Sequence, residues 1–321
     1  MSDPMTRRRF LENTALIALA STCSPAFAQS VPRSAFGAQS TAEEVTAGLD
    51  LTGKTAVLTG CNSGIGYETM RVLALRGAHV IGTARSVEKG REAADSVVGN
   101  VTPVVLELTD FDSIVACADQ IQAMNVPIDM LILNAGVLLG ELQQVRGLEM
   151  QFVVNHLGHF IFGNRLMSRV TDAPEGRVVT VGSIAHMRVP EGGIQFDNLG
   201  GEGWTRGSYG HSKLANGLYS LELSKRLAGT SATSNCVHPG GVRTNILRNL
   251  NRSGVAGLLN KSPEQGAATQ CYVATHPSLT GVTGQYFADC NPAEQGEYQT
   301  DEAMAARLWE VSEELTRDYL M

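Results

Sequence analysis

A tyrosine and a lysine that could exchange a proton lie four residues apart in the stretch SYGHSKLAN, residues 208–216. On a helix, Tyr209 and Lys213 would share one face. A lysine cation beside a phenol favours the phenolate and lowers the phenol pKa from its usual value of about 10. Such a tyrosine could exchange a proton with a substrate oxygen near neutral pH, so the pair predicts acid–base chemistry.

A serine with a compatible role precedes the pair. Ser183 closes the apolar stretch RVVTVGS, 26 residues before Tyr209, and could hold the substrate oxygen by a hydrogen bond. A tyrosine and a lysine at this spacing are common by chance. The prediction therefore depends on the serine at the strand end and on a glycine-rich turn much earlier in the chain.

That turn is TGCNSGIG, residues 59–66, which follows the β-prone stretch KTAVLTG and opens a stretch with helical spacing, GYETMRVLALRGA. Gly60 and Gly64 would let the backbone turn tightly and approach a pyrophosphate, and Gly66 would let the helix pack on the strand. The first N–H groups of the helix would bind the phosphates. The turn predicts a dinucleotide site with contacts from Gly60, Asn62, Ser63, Gly64, Ile65 and Gly66.

Apolar strands that alternate with helices must position these residues. The predicted strands are KTAVLTG, HVIGTAR, TPVVLELTD, IDMLILNAG, RVVTVGS, TSNCVHPGG and GQYFADC. This pattern predicts an α/β fold, a single Rossmann domain over residues 51–321, with a doubly wound parallel sheet of about seven strands and helices on both faces. The glycine-rich region 186–206 breaks the alternation and is interpreted as a surface insertion beside Ser183.

The spacing Gly-x-x-x-Gly-x-Gly, the LNAG stretch at 133–136 and the Tyr-x-x-x-Lys pair together resemble the short-chain dehydrogenases/reductases, from Leu51 to about Leu315. The resemblance implies an oxidoreductase that interconverts an alcohol and a ketone or aldehyde by hydride transfer, with Tyr209 as the acid/base. Asn155, in VVNHLGHF, matches the family's fourth catalytic residue, which orders a water between Lys213 and solvent.

The resemblance also implies further cofactor contacts. Asp110 matches the acid that the family places near the adenine ring, and Thr244 matches a residue that bonds the carboxamide. The remaining implied contacts are Asn134, Ala135, Gly136, Tyr209, Lys213, Pro239, Gly240 and Val242.

Several short stretches look like the branch that contains retinol dehydrogenases and the WW-domain oxidoreductase: SIAH, IQFDNL, NHLGHF, HPGGVRT and LWEVSEEL. In that branch NADP(H) and lipophilic alcohols or carbonyls are frequent. Residues 247–261 lie where the family has a mobile substrate lid, and a homo-oligomer is compatible with the family. The alternative function is a catalytically weak NADP-binding sensor or scaffold. The intact set of four polar residues favours the enzyme.

The end of the second predicted strand decides the cofactor. NAD-binding folds place an acid there to bond the ribose hydroxyls. This chain has Ala84 followed by Arg85, and a guanidinium is well shaped to hold a 2′-phosphate. The sequence therefore favours NADP over NAD.

The N-terminus resembles a bacterial export signal. Arg7, Arg8 and Arg9 precede Phe10-Leu11 and a modest apolar run, and AFA at 26–28 is a small-x-small pattern. Paired arginines before Phe-Leu indicate the twin-arginine translocase, which carries folded cargo, and so a periplasmic protein. Residues 1–28 would be the signal and 29–50 a linker or extended arm. The alternatives are a basic tail on a cytoplasmic enzyme and, more weakly, a lipoprotein anchored through Cys23.

Composition argues against several other classes. The net charge is −7 and there is no basic stripe, so nucleic acid is not an expected partner. No apolar run reaches the ~18 residues of a membrane helix. Five scattered cysteines after residue 28 form no disulfide framework. The histidines at 156, 159, 186 and 211 have no carboxylate or thiolate at ligand spacing, so no metal site is predicted.

Overall fold

Ten strands lie in the residues that the computed structural model describes, which are 31–204, 208–246 and 259–321. They are β1 (Thr55–Thr59), β2 (His79–Ala84), β3 (Asn100–Val105), β4 (Met130–Leu133), β5 (Gln144–Val145), β6 (Leu148–Glu149), β7 (Arg177–Val181), β8 (Thr233–His238), β9 (Tyr286–Ala288) and β10 (Asn291–Pro292). Eight of them form one sheet in the order β10-β9-β8-β7-β4-β1-β2-β3, and β5 pairs with β6.

The helices of the described residues are α1 (Ala42–Val45), α2 (Gly64–Leu75), α3 (Val87–Asp95), α4 (Phe111–Ala123), α5 (Met150–Phe152), α6 (Gly158–Thr171), α7 (Ser208–Arg226), α8 (Pro263–Thr275) and α9 (Glu302–Thr316). A π-helical turn, Val153–Leu157, joins α5 directly to α6. In the part of the chain that the structure describes, no helix is both long and apolar enough to cross a bilayer.

The strands bury side chains on both faces of the sheet. Along β4, Leu131 and Leu133 enter the core beneath α4, α6, α7 and α9, whereas Met130 and Ile132 enter the core beneath α2 and α8. This alternation follows from the two-residue period of a strand. It explains why the strands read as continuous apolar runs, and it confirms the predicted α/β Rossmann fold with helices on both faces.

The order of the strands fixes where a ligand can bind. β1 pairs in parallel with β2 on one side and with β4 on the other, so the direction of winding reverses between β1 and β4. In doubly wound sheets, ligands bind in the crevice at the carboxyl ends of the strands at such a point. The glycine turn follows β1, and the LNAG stretch lies at the end of β4, so both flank this crevice.

The sheet has one strand more than the sequence predicts. β10 is only two residues long and runs antiparallel to β9, to which a tight turn connects it. Both turn residues, Asp289 and Cys290, are left-handed, with φ of 51° and 60°. Two residues are too few to produce a detectable alternation, which is why the sequence did not reveal this strand.

Two segments that the sequence set apart from the rest of the domain have buried residues. Within 29–50, expected to be a linker or extended arm, α1 buries Ala42 and Val45 and contacts α8. Within 186–206, His186 and Ile194 are buried. The proposed signal, residues 1–28, lies outside the described residues, as do 247–258 of the expected lid.

Candidate active site

The glycine turn after β1 has the geometry of a phosphate cradle. Gly60 and Gly64 adopt φ of +75° and +58°, a region that L side chains rarely occupy. A Cβ on Gly66 would lie 2.1 Å from the Gly60 carbonyl oxygen and 2.6 Å from Nδ2 of Asn134. No side-chain cap bond forms at Ser63, the N-cap of α2. The first turn of α2 therefore offers its N–H groups to an anion.

A cavity of about 400 Å³ opens above this turn. Eleven of the predicted cofactor contacts line it: Gly60, Asn62, Ser63, Gly64, Ile65, Gly66, Arg85, Asn134, Ala135, Gly136 and Thr244. Ten further lining residues were not predicted from the sequence: Thr83, Leu106, Glu107, Leu108, Thr109, Val137, Met150, Val154, Asn245 and Ile246. The glycine backbone and the uncapped helix terminus fit a dinucleotide, whose phosphates the α2 N-terminus would hold.

The position of Asp110 differs from the expectation. Its exposed carboxylate caps α4 by accepting from the backbone N–H groups of Asp112 and Ser113, and it does not line the cavity. Glu107, three residues earlier, lines the cavity, and its carboxylate accepts from the Thr109 backbone and hydroxyl. A helix N-terminus favours a short acid as its cap, and Asp110 takes that place at α4, which leaves Glu107 to line the cavity.

The turn after β8 contributes less to this cavity than expected. Pro239, Gly240 and Val242 do not line it, although Thr244 does. Val242 is buried and packs against Gly266 of α8, where a Cβ would lie 2.6 Å from its Cγ2. Gly240 has φ of +91° and packs against the side chain of Lys261. The described contacts of this turn are therefore with Lys261 and α8 rather than with the cavity.

None of Asn155, Ser183, Tyr209 and Lys213 lines the cavity, although Tyr209 and Lys213 were expected to contact the cofactor. Lys213 is buried just behind Gly136. Its Nζ donates to the Val181 carbonyl at 2.8 Å and lies 5.7 Å from the ring centre of Tyr209. Gly136, which lines the cavity, is so close that a Cβ there would be 3.7 Å from Nζ. Burial lowers the pKa of Lys213 to about 8, so the side chain is cationic at neutral pH.

Asn155 lies in the π-helical turn and is fully buried. Its Oδ1 accepts from the Val137 backbone N–H at 2.8 Å, and its Nδ2 donates to the Ser212 hydroxyl at 2.9 Å. A Cβ on Gly136 would lie 3.1 Å from this Oδ1. Asn155 and Lys213 therefore both lie on the side of Gly136 where a Cβ would project, with no direct bond between them.

Ser183 and Tyr209 face each other across the end of β7. Burial raises the pKa of Tyr209 to about 12, while a hydrogen bond with Ser183 acts in the opposite direction. This corrects the lowered pKa that the sequence argument expected from Lys213. Desolvation disfavours the phenolate, and the Lys213 ammonium bonds to Val181 rather than to the phenol oxygen. The polypeptide by itself thus keeps Tyr209 protonated at neutral pH.

A buried histidine supports Ser183. His186 Nδ1 lies 2.6 Å from the Ser183 carbonyl, and its Nε2 accepts from the Gly296 backbone N–H at 2.9 Å. The carbonyl can only accept, so the ring proton is on Nδ1. The four histidines considered for a metal occupy the core in this way, and no cluster of three potential ligands occurs in the described residues.

The comparisons with known proteins define the family. A family model described as short chain dehydrogenase matches residues 54–254. The chain belongs to the short-chain dehydrogenase family, whose members are generally NAD(P)-dependent oxidoreductases that interconvert alcohols and carbonyl compounds.

Among individual relatives, the chain is 40% identical over 301 residues to the chloroplastic short-chain dehydrogenase TIC 32 B of Brassica napus, covering 87% of this chain and 94% of that protein. It is 40% identical to retinol dehydrogenase 12 of Mus musculus, covering 84% and 88%. It is 35% identical to the WW domain-containing oxidoreductase of Gallus gallus, covering 90% and 74%. The resemblance to this branch is therefore confirmed.

Solved structures agree with the fold. A structure of an uncharacterized protein from Mycobacterium paratuberculosis aligns with a TM-score of 0.70 and 32% identity, covering 85% of this chain and 97% of that one. A structure from Beutenbergia cavernae that contains bound NADP aligns with a TM-score of 0.59 and 25% identity, covering 75% and 96%.

Proposed function

We propose that the protein is an NADP(H)-dependent oxidoreductase that interconverts an alcohol and a ketone or aldehyde, with Tyr209 as the acid/base. The observation that carries this is a group of four polar residues beside the cavity: Ser183 bonds Tyr209, Lys213 lies next to the Tyr209 ring, and Lys213 and Asn155 both approach Gly136. Gly136 joins the two parts, since it lines the cavity and touches both Asn155 and the surroundings of Lys213.

In the reductive direction, a bound NADPH would be the source of the hydride that reduces the carbonyl carbon of the substrate. The Ser183 hydroxyl binds the carbonyl oxygen, and the Tyr209 phenol donates its proton to that oxygen as the charge develops. A raised pKa suits this role, because the phenol is protonated and ready to donate at neutral pH. The Lys213 cation then stabilises the phenolate of Tyr209. Asn155 accepts a hydrogen bond from the Val137 backbone N–H and so holds the segment that follows Gly136.

The similarity to retinol dehydrogenase 12 of Mus musculus, which is named for a lipophilic alcohol, supports lipophilic substrates for this protein. Ile184 and Met187, on either side of His186, are 54% and 43% exposed although both are apolar. Ile184 follows Ser183 directly and Met187 lies three residues later. Both would contact an apolar substrate whose oxygen bound the Ser183 hydroxyl. A panel of aliphatic and aromatic aldehydes and ketones, assayed for NADPH consumption, tests the proposal. A protein that binds NADPH and consumes none with any member would instead be a sensor or scaffold.

The preference for NADP rests on Arg85. This exposed side chain lines the cavity where β2 ends, and Ala84 before it carries no carboxylate. Ser86, the next residue, is the N-cap of α3, so Arg85 directly precedes a helix terminus that carries a partial positive charge. Both features favour a 2′-phosphate over a free ribose hydroxyl.

Replacing Arg85 with aspartate should reverse the cofactor preference. The change removes a cation and adds a carboxylate that repels a phosphate and accepts from ribose hydroxyls, so NADPH affinity should fall by about 10- to 100-fold. Arg91→Asp on α3, the helix that follows Arg85, is the matched control, because Arg91 is exposed and does not line the cavity. Titration of both cofactors by protein fluorescence measures the effect. Equal NADPH affinity in Arg85→Asp and the wild type would refute the assignment.

We further propose that the protein is exported to the periplasm in folded form by the twin-arginine translocase. The support is the arrangement of the first 28 residues together with the nature of the cavity. A dinucleotide scarce outside the cytosol has to bind before export, and only a folded domain can hold it. The chain also resembles a chloroplastic relative at 40% identity.

Changing Arg7, Arg8 and Arg9 together to lysine should keep the protein in the cytosol, folded and uncut. A signal of the general secretory route needs only positive charge and an apolar core, whereas the twin-arginine route reads the guanidinium pair. Arg33→Lys, outside the signal, is the control and should be exported like the wild type. Fractionation and N-terminal sequencing should find wild-type protein in the periplasm beginning near Gln29. Equal export of the triple-lysine form would point to the general route, and cytosolic wild type would point to a basic tail.

A further inference from the structure

We infer that His159 is a positioning residue that couples Asn155 of the catalytic group to the floor of the cofactor cavity. The inference rests on the proposed function, since it concerns the same four residues. His159 is buried on α6 and plays no part in the proton transfer described above. Both of its ring nitrogens are nevertheless bonded, one to each half of the site.

The first bond reaches the catalytic side. His159 Nδ1 lies 3.0 Å from the backbone carbonyl of Asn155, four residues earlier. In a π-turn the backbone donor moves from position i+4 to i+5, and the N–H of Gly158 accordingly bonds Val153. The histidine ring supplies a donor from the i+4 position to a carbonyl inside this turn. It thereby fixes the turn that carries Asn155.

The second bond reaches the cofactor side. His159 Nε2 lies 2.9 Å from the hydroxyl of Thr59, the last residue of β1. The same hydroxyl oxygen accepts from the backbone N–H groups of Asn134 and Ala135, each at 2.9 Å. Both of those residues line the cavity. A single threonine hydroxyl therefore joins the end of β4 to the histidine.

The position of each proton in this series of hydrogen bonds follows from the chemistry of its groups. A carbonyl only accepts, so the neutral ring carries its proton on Nδ1 and accepts at Nε2. Thr59 then donates its one hydroxyl proton to Nε2 and uses both lone pairs for Asn134 and Ala135. Burial, with the charge of Lys213 acting in the same direction, lowers the pKa of His159 to about 4, which keeps the ring neutral. Every donor and acceptor in the chain is thus used, as a rigid buried network requires.

Two substitutions separate the two bonds. The amide nitrogen of His159→Asn can take the place of Nδ1 and keep the bond to Asn155, but it is too short to reach Thr59. The amide of His159→Gln can take the place of Nε2 and keep the bond to Thr59, but it leaves the Asn155 carbonyl without its donor. The pair changes size and polarity similarly, so a difference between them reports on the bonds.

We expect His159→Gln to lower kcat by about 10- to 100-fold with NADPH affinity nearly unchanged, because the catalytic geometry loosens. His159→Asn should keep kcat near the wild-type value and weaken NADPH binding by about three- to tenfold, the scale of one hydrogen bond. The matched controls are His156→Gln and His156→Asn. His156 is equally buried on the adjoining turn, but it bonds Ser312 of α9, so these variants should lower Tm and leave both kinetic quantities unchanged.

The inference is overturned if the Gln and Asn variants at 159 show the same kcat and the same NADPH affinity, whether intact or impaired. If neither variant folds, nitrogen NMR of the histidine-labelled wild type decides without any turnover. A neutral His159 ring protonated on Nδ1 at neutral pH supports the coupling, and a proton on Nε2 or on both nitrogens contradicts it. Absence of turnover in the wild type would instead count against the proposed function, because the NADPH affinities and the NMR result are independent of it.

Discussion

Tyr209→Phe should lower the rate of carbonyl reduction by about 10²- to 10⁴-fold while NADPH affinity stays close to that of the wild type. The substitution removes only the phenolic proton that the substrate oxygen must receive, and loss of a general acid typically costs this much. The ring remains, so contacts with the cofactor are kept. Steady-state kinetics with a responsive carbonyl compound and a separate NADPH titration measure the two effects.

A tyrosine on the same helix provides the control for this variant. Tyr219 is buried on α7, and among the described residues its hydroxyl has no hydrogen-bond partner. Tyr219→Phe removes the same atom from the same helix, and we expect unchanged kinetics and undiminished stability, because an unsatisfied buried polar atom is lost. A Tyr209→Phe rate above about a tenth of the wild-type rate would show that another group supplies the proton.

Gly66→Ala should abolish measurable NADPH binding and lower Tm. The added methyl group would lie 2.1 Å from the Gly60 carbonyl oxygen and 2.6 Å from the Asn134 amide, and the first of these is backbone that cannot move aside. The turn would have to open, which displaces the N–H groups that hold the phosphates, and such overpacking typically costs about 1–3 kcal/mol of stability.

Gly37→Ala is the matched change for this test. No heavy atom lies within 4 Å of a Cβ built there, and its φ is not in the left-handed region. We expect wild-type NADPH affinity and a Tm equal to or slightly above that of the wild type. Calorimetric titration and thermal unfolding of both variants decide the matter. Tight NADPH binding by Gly66→Ala would mean that the dinucleotide does not use this turn.

The sequence predicted most of the fold because its information is local. Each of β1, β2, β4 and β7 is a buried run of four to six residues bounded by clear turns. The glycine turn could also be located, since glycine is strongly favoured at the positive φ that Gly60 adopts. The two-residue β10 carries too little pattern to be detected, and the packing of α1 on α8 depends on contacts far apart in the chain.

The details that could not be predicted from the sequence depend on contacts between residues that are far apart in the chain and on burial. Two acids, Glu107 and Asp110, follow β3 closely, and the α4 N-terminus takes one of them as its cap. The pKa of Tyr209 is raised by burial, which the spacing of residues does not report. The lowered pKa expected from the nearby Lys213 is therefore wrong. His159 is visible four residues after Asn155, but its bond to Thr59 spans 100 positions of the chain.

In the proposed reaction, NADPH would deliver a hydride to a carbonyl carbon whose oxygen is bound by Ser183 and Tyr209. Purified protein should be incubated with a reactive carbonyl compound and NADPH that carries deuterium at its transferable ring position, and the product should be analysed by mass spectrometry. We expect an alcohol with one deuterium on the carbinol carbon from the wild type, and none above background from Tyr209→Phe. Cofactor oxidation without labelled alcohol, or equal labelling by both proteins, would contradict this proposal.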